Sequence, residues 1–368
     1  MAFRRAVIVS FRLGGVDGVS VEAAKWAGAL RRLGLEVTTV AGDGTADVLV
    51  PGLGAWTAAS PDRVALSDAL SGADLVVAEN ICSLPLNRAA SDAVAAALAG
   101  RPALLHHHDL PWQRPKPGWD GRDWPVPDDA HWRHVTVNDL SRLQLGERGI
   151  TAVTERNRFE IEPAPGDRNG TRRMLGIEPD DRVVLQPTRA IARKNVAGGL
   201  AVAEALGAVY WLTGAAEEDY ASELEAVLGR ATVRVRRGPV AEMADAYAAS
   251  DLVVLPSSWE GFGNPAVEGW LHGRPVAVGS YPVADELRAL GFEWLDAGAP
   301  SALSGRLEDA AALVEHNRAV ARRHLDVVDL PRRLAALLGE LGGPVLRSCN
   351  GPDRNDGSAA APSGQPSG

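Results

Sequence analysis

Short runs of β-branched and aliphatic residues alternate along the chain with amphipathic stretches of helical spacing. Arg5–Ser10 (RAVIVS) reads as a buried strand, and Ser20–Leu33 as a helix stopped by Gly34. Further strands are expected over Leu35–Ala41, Asp74–Glu79, Pro102–Leu105, His134–Asn138 and Thr151–Thr154, with helices over Asn87–Leu98 and Asp139–Arg148. Glu155–Asp181 breaks the rhythm with Pro163, Pro165, Gly166, Asp167 and Gly170, the composition of a connection. The alternation then restarts. Strands are expected over Arg182–Gln186, Ala208–Thr213, Thr232–Arg236, Leu252–Pro256 and Pro275–Gly279, and helices over Val196–Leu206, Ala241–Ala249 and Pro265–Leu271, with Asn195 capping the first. Such alternation implies parallel sheets covered by helices on both faces. The expected fold is therefore α/β, with two facing doubly wound Rossmann-like domains over residues 1–160 and 182–341, a linker over 161–181 and a cleft between the domains. Asp309–Leu341 reads as helical, its last helix a candidate to pack back on the first domain, and 342–368 reads as a disordered tail rich in Gly, Ser, Pro and Asp.

Length and composition agree: 368 residues suit two domains, and 46% apolar with 23% charged residues suits a globular chain with a sizeable core. A formal charge of −9 without a basic block argues against nucleic-acid binding. No apolar run reaches the ~18–20 residues of a membrane-spanning helix. Arg12, Gly14 and Gly15 interrupt the first apolar run too early for a signal peptide. Cys82 and Cys349 make neither a metal-ligand spacing nor a disulfide framework. The reading is a reduced, cytoplasmic compartment. Peripheral membrane contact stays open, with no strongly basic helix to favour it. Only Lys25, Lys116 and Lys194 are lysines, against 35 arginines.

The segment Leu252–Glu268 (LVVLPSSWEGFGNPAVE) carries the most chemistry. A strand, a loop and a helix follow one another, with Asn264 expected at the N-cap and Pro265 at the first helical position. Glu260 lies in the loop and Glu268 in the helix, eight positions on. Gly261 and Gly263 would let backbone amides approach a ligand, and a helix N-terminus favours an anion. The composite suits a polyhydroxylated group beside a phosphate. Glu260-Gly-Phe-Gly-Asn-Pro-Ala-Val-Glu268 resembles the signature of retaining glycosyltransferases of the GT-B fold, the family 4 type (glycosyl transferases group 1). The resemblance implies that Glu260, with Gly261, Phe262, Gly263 and Asn264, orients the transferred sugar, and that Glu268 holds the ribose of a nucleotide.

Thr188–Asn195 (TRAIARKN) follows the Arg182–Gln186 strand and is similar to the family's diphosphate-binding loop. Arg189 and Lys194 would stabilise the charge that builds on a departing diphosphate, so no metal and no other cofactor would be needed; Arg193 is expected to face outward. In Arg12–Ser20 the pair Gly14-Gly15 is similar to the family's loop facing donor phosphate and acceptor, with Asp17 on the acceptor side. His106-His107-His108-Asp109 ends a strand; alternate side chains point to opposite sides, so three adjacent histidines do not converge on one metal, and no metal site is expected. The resemblance places His108 and Asp109 beside the reacting face of the sugar. Trp112, Trp119, Trp124 and Trp132 cluster in this region, and Trp112 is the acceptor-side candidate. The resemblance also marks Asn157, Gly214 and Val240, the last two near the nucleotide. It covers the chain to about residue 341 and implies a hexosyl transfer from a nucleotide-diphosphate sugar to an acceptor hydroxyl on a small molecule, a glycan or a lipid-linked sugar. An epimerase or hydrolase of nucleotide sugars and a non-catalytic sugar-nucleotide-binding protein share this architecture. A phosphorylase-like enzyme would need a lysine for pyridoxal phosphate, and the second half holds Lys194 alone.

Overall fold

The computed structural model describes residues 3–342, apart from Trp56, Ala58, Pro85, 115–119, Glu218, Glu308 and Asp309. Trp119 and the tail expected beyond Gly342 thus lie outside the described residues. The first half runs β1 (Arg5–Leu13), α1 (Gly18–Arg32), β2 (Glu36–Gly44), β3 (Val48–Leu49), α2 (Arg63–Ser71), β4 (Leu75–Glu79), α3 (Arg88–Leu98), β5 (Ala103–His107), β6 (Trp132–Thr136), α4 (Asp139–Gly146) and β7 (Ala152–Thr154). It forms a seven-stranded parallel sheet in the order β3-β2-β1-β4-β5-β6-β7. The second half runs α5 (Arg168–Met174), β8 (Val183–Gln186), α6 (Val196–Ala205), β9 (Val209–Leu212), α7 (Ala221–Leu228), β10 (Val235–Arg237), α8 (Met243–Ala249), β11 (Leu252–Leu255), α9 (Asn264–Leu271), β12 (Val276–Val278), α10 (Pro282–Ala289), β13 (Leu295–Asp296), α11 (Leu303–Leu307), α12 (Ala310–His324) and α13 (Leu330–Glu340). Its sheet is also parallel, six-stranded, in the order β10-β9-β8-β11-β12-β13.

Both sheets are buried on both faces, which is why their central strands read as unbroken apolar runs. In the first sheet Val7, Val9 and Val76 face the α2 and α3 side, while Ile8, Leu75 and Val77 face α1 and α13. In the second, Val183, Leu185 and Val253 pack with Trp270 and α12, and Val184, Leu252 and Val254 pack with α6 and α7. The order reverses between β1 and β4 in one sheet and between β8 and β11 in the other. Loops at the carboxyl ends of those strands are where such sheets bind ligands.

Two expectations need correction. The stretch 161–181 is not bare linker: it holds α5, which packs on α8. Buried Arg172 anchors it, donating to the Ala249 carbonyl (2.9 Å), to the carbonyls of Glu178, Pro179 and Asp181, and to Asp251 (2.7 Å). The terminal helical stretch is broken between α12 and α13, where the chain crosses between the halves. There the Phe159 amide donates to the Leu325 carbonyl (2.8 Å) and the Val327 amide to the Phe159 carbonyl (3.0 Å). Beyond this double crossing, Leu330, Leu334, Leu337 and Leu338 of α13 pack with Ala23, Trp26 and Leu30 of α1. Leu334 is fully buried, so Leu334→Ala should cost about 2–5 kcal/mol. A urea titration followed by circular dichroism measures it; a loss well below that range would show that α13 is not part of the first domain's core.

Candidate active site

The two loops of the second sheet's reversal meet through a buried ion pair. Lys194 Nζ donates to Glu260 Oε1 at 2.6 Å, and the Ser257 hydroxyl donates to the same oxygen at 2.6 Å. Lys194 is 9% and Glu260 6% exposed. Local chemistry builds this meeting. Buried Gln186, at the end of β8, donates to the Lys194 carbonyl (2.9 Å) and accepts from the Tyr210 hydroxyl (2.6 Å). Asn195 takes the left-handed conformation (φ 49°), caps α6 through Gly198 N and donates to the Pro256 carbonyl (3.1 Å), tying the loop to β11. Arg193 does not face outward. Its guanidinium donates to the Trp259 carbonyl (3.1 Å) and lies 3.6 Å from Glu260 Oε2, because the Asn195 turn folds it over the second loop.

Burial pushes the Lys194 ammonium down to about 8 against the pull of Glu260, and the fields of Arg193 and Arg189 push the same way as burial. Burial raises the Glu260 carboxyl, but Lys194 and Arg193 outweigh it and hold Glu260 below the usual range. Arg189 pairs with Glu217 at 2.7 Å, about one third exposed. Gly214 serves this loop: a Cβ there would stand 2.3 Å from the Thr188 carbonyl oxygen and 2.5 Å from Arg189 Cα. Val240 packs on the second domain's core.

The cap of α9 differs from expectation. Gly263 occupies it in a left-handed conformation (φ 92°), Asn264 is the first helical residue, and a Cβ on Gly263 would stand 2.7 Å from the Tyr281 hydroxyl. Asn264 Oδ1 instead accepts from Asn157 Nδ2 of the first half (2.8 Å). Phe262 is buried with its ring 6.0 Å from that of Phe159. Glu268 accepts from the Tyr247 hydroxyl at 2.6 Å. Burial raises the Glu268 carboxyl, opposed by Tyr247 and by Lys25 of α1.

The loops of the first sheet close over these. Trp259 Nε1 donates to Asp109 Oδ1 (3.1 Å), Asn138 Nδ2 to the Gly261 carbonyl (2.6 Å), and the Glu286 carboxylate accepts from the Asp139 and Leu140 amides (2.7 Å each). Gly261 lies against His108, whose carbonyl oxygen would be 2.1 Å from any Cβ there. Burial raises the Asp109 carboxyl; Arg114, Arg193 and Trp259 outweigh it and lower it. Gly14 (φ 75°) turns against Thr45, with a Cβ 2.5 Å from its carbonyl oxygen, and a Cβ on Gly15 would be 3.0 Å from Asp17 Oδ2. Asp17 caps α1 at Ser20 and pairs with Arg12 at 3.4 Å. Trp112 donates to Gln144 (2.9 Å), has the Arg148 guanidinium 3.7 Å from its ring centre, and packs with Leu110 and Leu145.

Sequence reasoning missed Glu79. At the end of β4 and fully buried, its Oε2 accepts from His106 Nδ1 and His108 Nε2, each at 2.9 Å. Strand alternation sends His107 the other way, to His134 (2.9 Å). Burial pushes Glu79 up, but the two imidazoles outweigh it and hold the carboxyl down at about 2. Burial lowers His108, and Glu79 more than offsets that, so its pKa is raised. The donor atoms of Glu79, His106 and His108 lie within 4.8 Å of one another, the one such group among the described residues. Both imidazoles give their N–H to a single carboxylate oxygen, while Glu79 Oε1 and His106 Nε2 are buried without a hydrogen-bond partner. Asn80, next in sequence, sits at φ 59°, and its side-chain oxygen accepts from the His108 (3.0 Å) and Asp109 (3.3 Å) amides.

Residues 196–311 match the family model "Glycosyl transferases group 1". Mannosylglucosylglycerate synthase of Petrotoga mobilis is 25% identical, the alignment covering 79% of this chain and 86% of that protein. D-inositol 3-phosphate glycosyltransferase of Rhodococcus opacus is 28% identical over 64% of this chain and 62% of its own. The structure of Anabaena HepE in complex with UDP-glucose superposes with a TM-score of 0.72 at 20% identity, covering 91% of this chain and 99% of that one. Sucrose-phosphate synthase from Thermosynechococcus elongatus superposes at 0.70 and 15% identity, covering 92% and 99%. These likenesses show the fold. With the family match and the curated relatives, the chain is a glycosyltransferase of the GT-B fold. Among the described residues no helix is long and apolar enough to cross a membrane.

The Gly261–His108 approach gives a test of closure. Gly261→Ala forces the loops apart at a cost of about 1–3 kcal/mol, typical of overpacking. Small-angle scattering should report a larger radius of gyration than wild type, with each domain still folded; an unchanged radius would refute the contact.

Proposed function

We propose that the protein transfers a hexosyl group from a nucleoside-diphosphate sugar to a hydroxyl acceptor with retention of anomeric configuration, in the manner of family 4 and without a metal. The observation that carries this reading is the Lys194–Glu260 pair, with Arg189 close enough for its field to act on Lys194, at the second sheet's strand-order reversal. Arg189 and Lys194 supply fixed positive charge where a leaving diphosphate gains negative charge, so the stabilisation grows toward the transition state. Glu260 is ionised and serves as acceptor for sugar hydroxyls, and Glu268 offers a carboxylate to the ribose. His108 stands at the carboxyl end of β5 beside Gly261, facing the sugar's reacting side. Asp109 is spoken for by Trp259 and Arg114, so of the two neighbours His108 is the one to touch substrate.

Retention follows from same-face substitution: the acceptor oxygen bonds to the anomeric carbon as the diphosphate oxygen leaves, and the acceptor's proton passes to that diphosphate. This needs no carboxylate nucleophile. Closure of the two halves excludes water that would compete as acceptor. HepE was crystallised with UDP-glucose, and the curated relatives' names carry glycerate and inositol phosphate. These support a uridine diphosphate donor and a small, negatively charged polyol acceptor.

A panel of UDP-, GDP-, ADP- and TDP-glucose in thermal-shift and transfer assays, with the product's anomeric configuration read by NMR, tests the proposal. An inverted product or no response to any nucleotide sugar would refute it. Lys194→Ala should lower transfer on the order of 10²-fold, the loss expected for one transition-state donor.

The Lys194 shift sets a pH dependence. Bound diphosphate keeps the ammonium protonated, whereas the free protein releases the proton as pH rises through about 8. UDP affinity measured by calorimetry should therefore be flat below that pH and fall by up to about tenfold per pH unit above it. Lys194→Arg should remove the break, and a break that survives the substitution would assign it to another group.

A further inference from the structure

We propose that Glu79 and Asn80 are positioning residues for transfer: Glu79 fixes the His108 ring with its Nε2–H donated inward, so that Nδ1 is the nitrogen presented to the donor sugar. The inference rests on the proposed reaction and concerns residues that no glycosyltransferase signature in this sequence marks.

Three observations carry it. Glu79 Oε2 takes the His108 Nε2–H at 2.9 Å, with Glu79 fully buried and His108 8% exposed, so the carboxylate selects this tautomer of the neutral ring. His106 gives its Nδ1–H to the same oxygen, and its ring stacks on Trp26 (4.1 Å between centroids), so the carboxylate cannot swing toward the cleft. Asn80 holds the backbone beneath the ring: one side-chain oxygen takes both the His108 and Asp109 amides, from a left-handed conformation that costs an L-residue backbone energy. Asn is among the few residues that tolerate that conformation while still offering a short acceptor. Two consecutive residues at the end of β4 thus set both the side chain and the main chain of the residue that faces the sugar. Among the described residues, Nδ1 of His108 has no protein partner. In the neutral ring it can accept a hydrogen bond from a sugar hydroxyl that an Nδ1–H tautomer could not accept.

Histidine-selective 15N NMR on the wild-type protein without ligand tests the tautomer, with His108→Gln assigning its signals. Across a pH titration the His108 Nε2 should stay protonated, and Nδ1 should be the nitrogen that loses its proton as pH rises through the raised pKa. A population dominated by the neutral Nδ1–H form would overturn the proposal. One equivalent of Zn2+ bound to wild type and lost in Glu79→Gln would overturn it as well, because the cluster would then be a metal centre.

Kinetics test the consequence, with UDP-glucose as probe and UDP release as readout. Glu79→Gln should lower kcat on the order of 10²-fold, as misplacing a reacting group by about an ångström does, with little change in UDP affinity. In a His108→Gln background the same substitution should cost nothing further. An equal loss in both backgrounds, or a loss confined to UDP affinity, would overturn the positioning role. Wild type that responds to no nucleotide sugar would instead sink the proposed reaction while leaving the tautomer result to stand. Should Glu79→Gln not fold, the wild-type NMR measurement still decides the tautomer.

Discussion

Two opposite charges, Lys194 and Glu260, are sunk together where the loops after β8 and β11 meet, and the rest of the site is arranged around keeping them there. Burying either ion alone would cost several kcal/mol. The cost is offset because Ser257 and Arg193 supply further hydrogen-bond and charge partners to the carboxylate. The pair therefore closes only in one geometry, with the Gln186 and Asn195 side chains holding the first loop and the Pro256 carbonyl receiving it. Lys194 is thereby desolvated and oriented by the protein alone.

Close backbone approach is the second constraint, and it places the glycines. Gly214 exists for the Arg189 loop, Gly261 for the His108 carbonyl and Gly263 for the Tyr281 hydroxyl. All three are contacts between protein segments. The first half meets the second through polar side chains that cap or bridge backbone: Asn138 to Gly261, Glu286 to the start of α4, Asn157 to Asn264. The meeting surface is thus one of discrete hydrogen bonds, a kind of contact that two domains can break and remake.

The central strands were legible in the sequence because a strand buried on both faces reads as a continuous apolar run. β3, α2, α7 and α10 were not, being short and held by tertiary packing rather than by strong local pattern. α5 hid in a Pro- and Gly-rich stretch because its anchor, Arg172, depends on Asp251, a partner far away in the chain. In the site, Lys194, Glu260 and Glu268 were singled out through the family resemblance, and the structure brings Lys194 and Glu260 together. The inward turn of Arg193 was not legible, because it depends on one left-handed residue, Asn195. Asp17 was read for the acceptor and is bonded to the start of α1. Glu79 left no local sign: it ends an apolar strand, and its two imidazole partners come from the next strand of the sheet.

The paired crossing beside Phe159 has a topological consequence. Residues before it and after Asp326 build one lobe, with α13 laid against α1, so the second lobe is in effect a long insertion whose entry and exit are stitched side by side. A body fastened by two neighbouring threads can swing about the line joining them but cannot easily twist or slide. Any opening would thereby be channelled toward a single arc, and each return would bring Gly261 back to the same carbonyl.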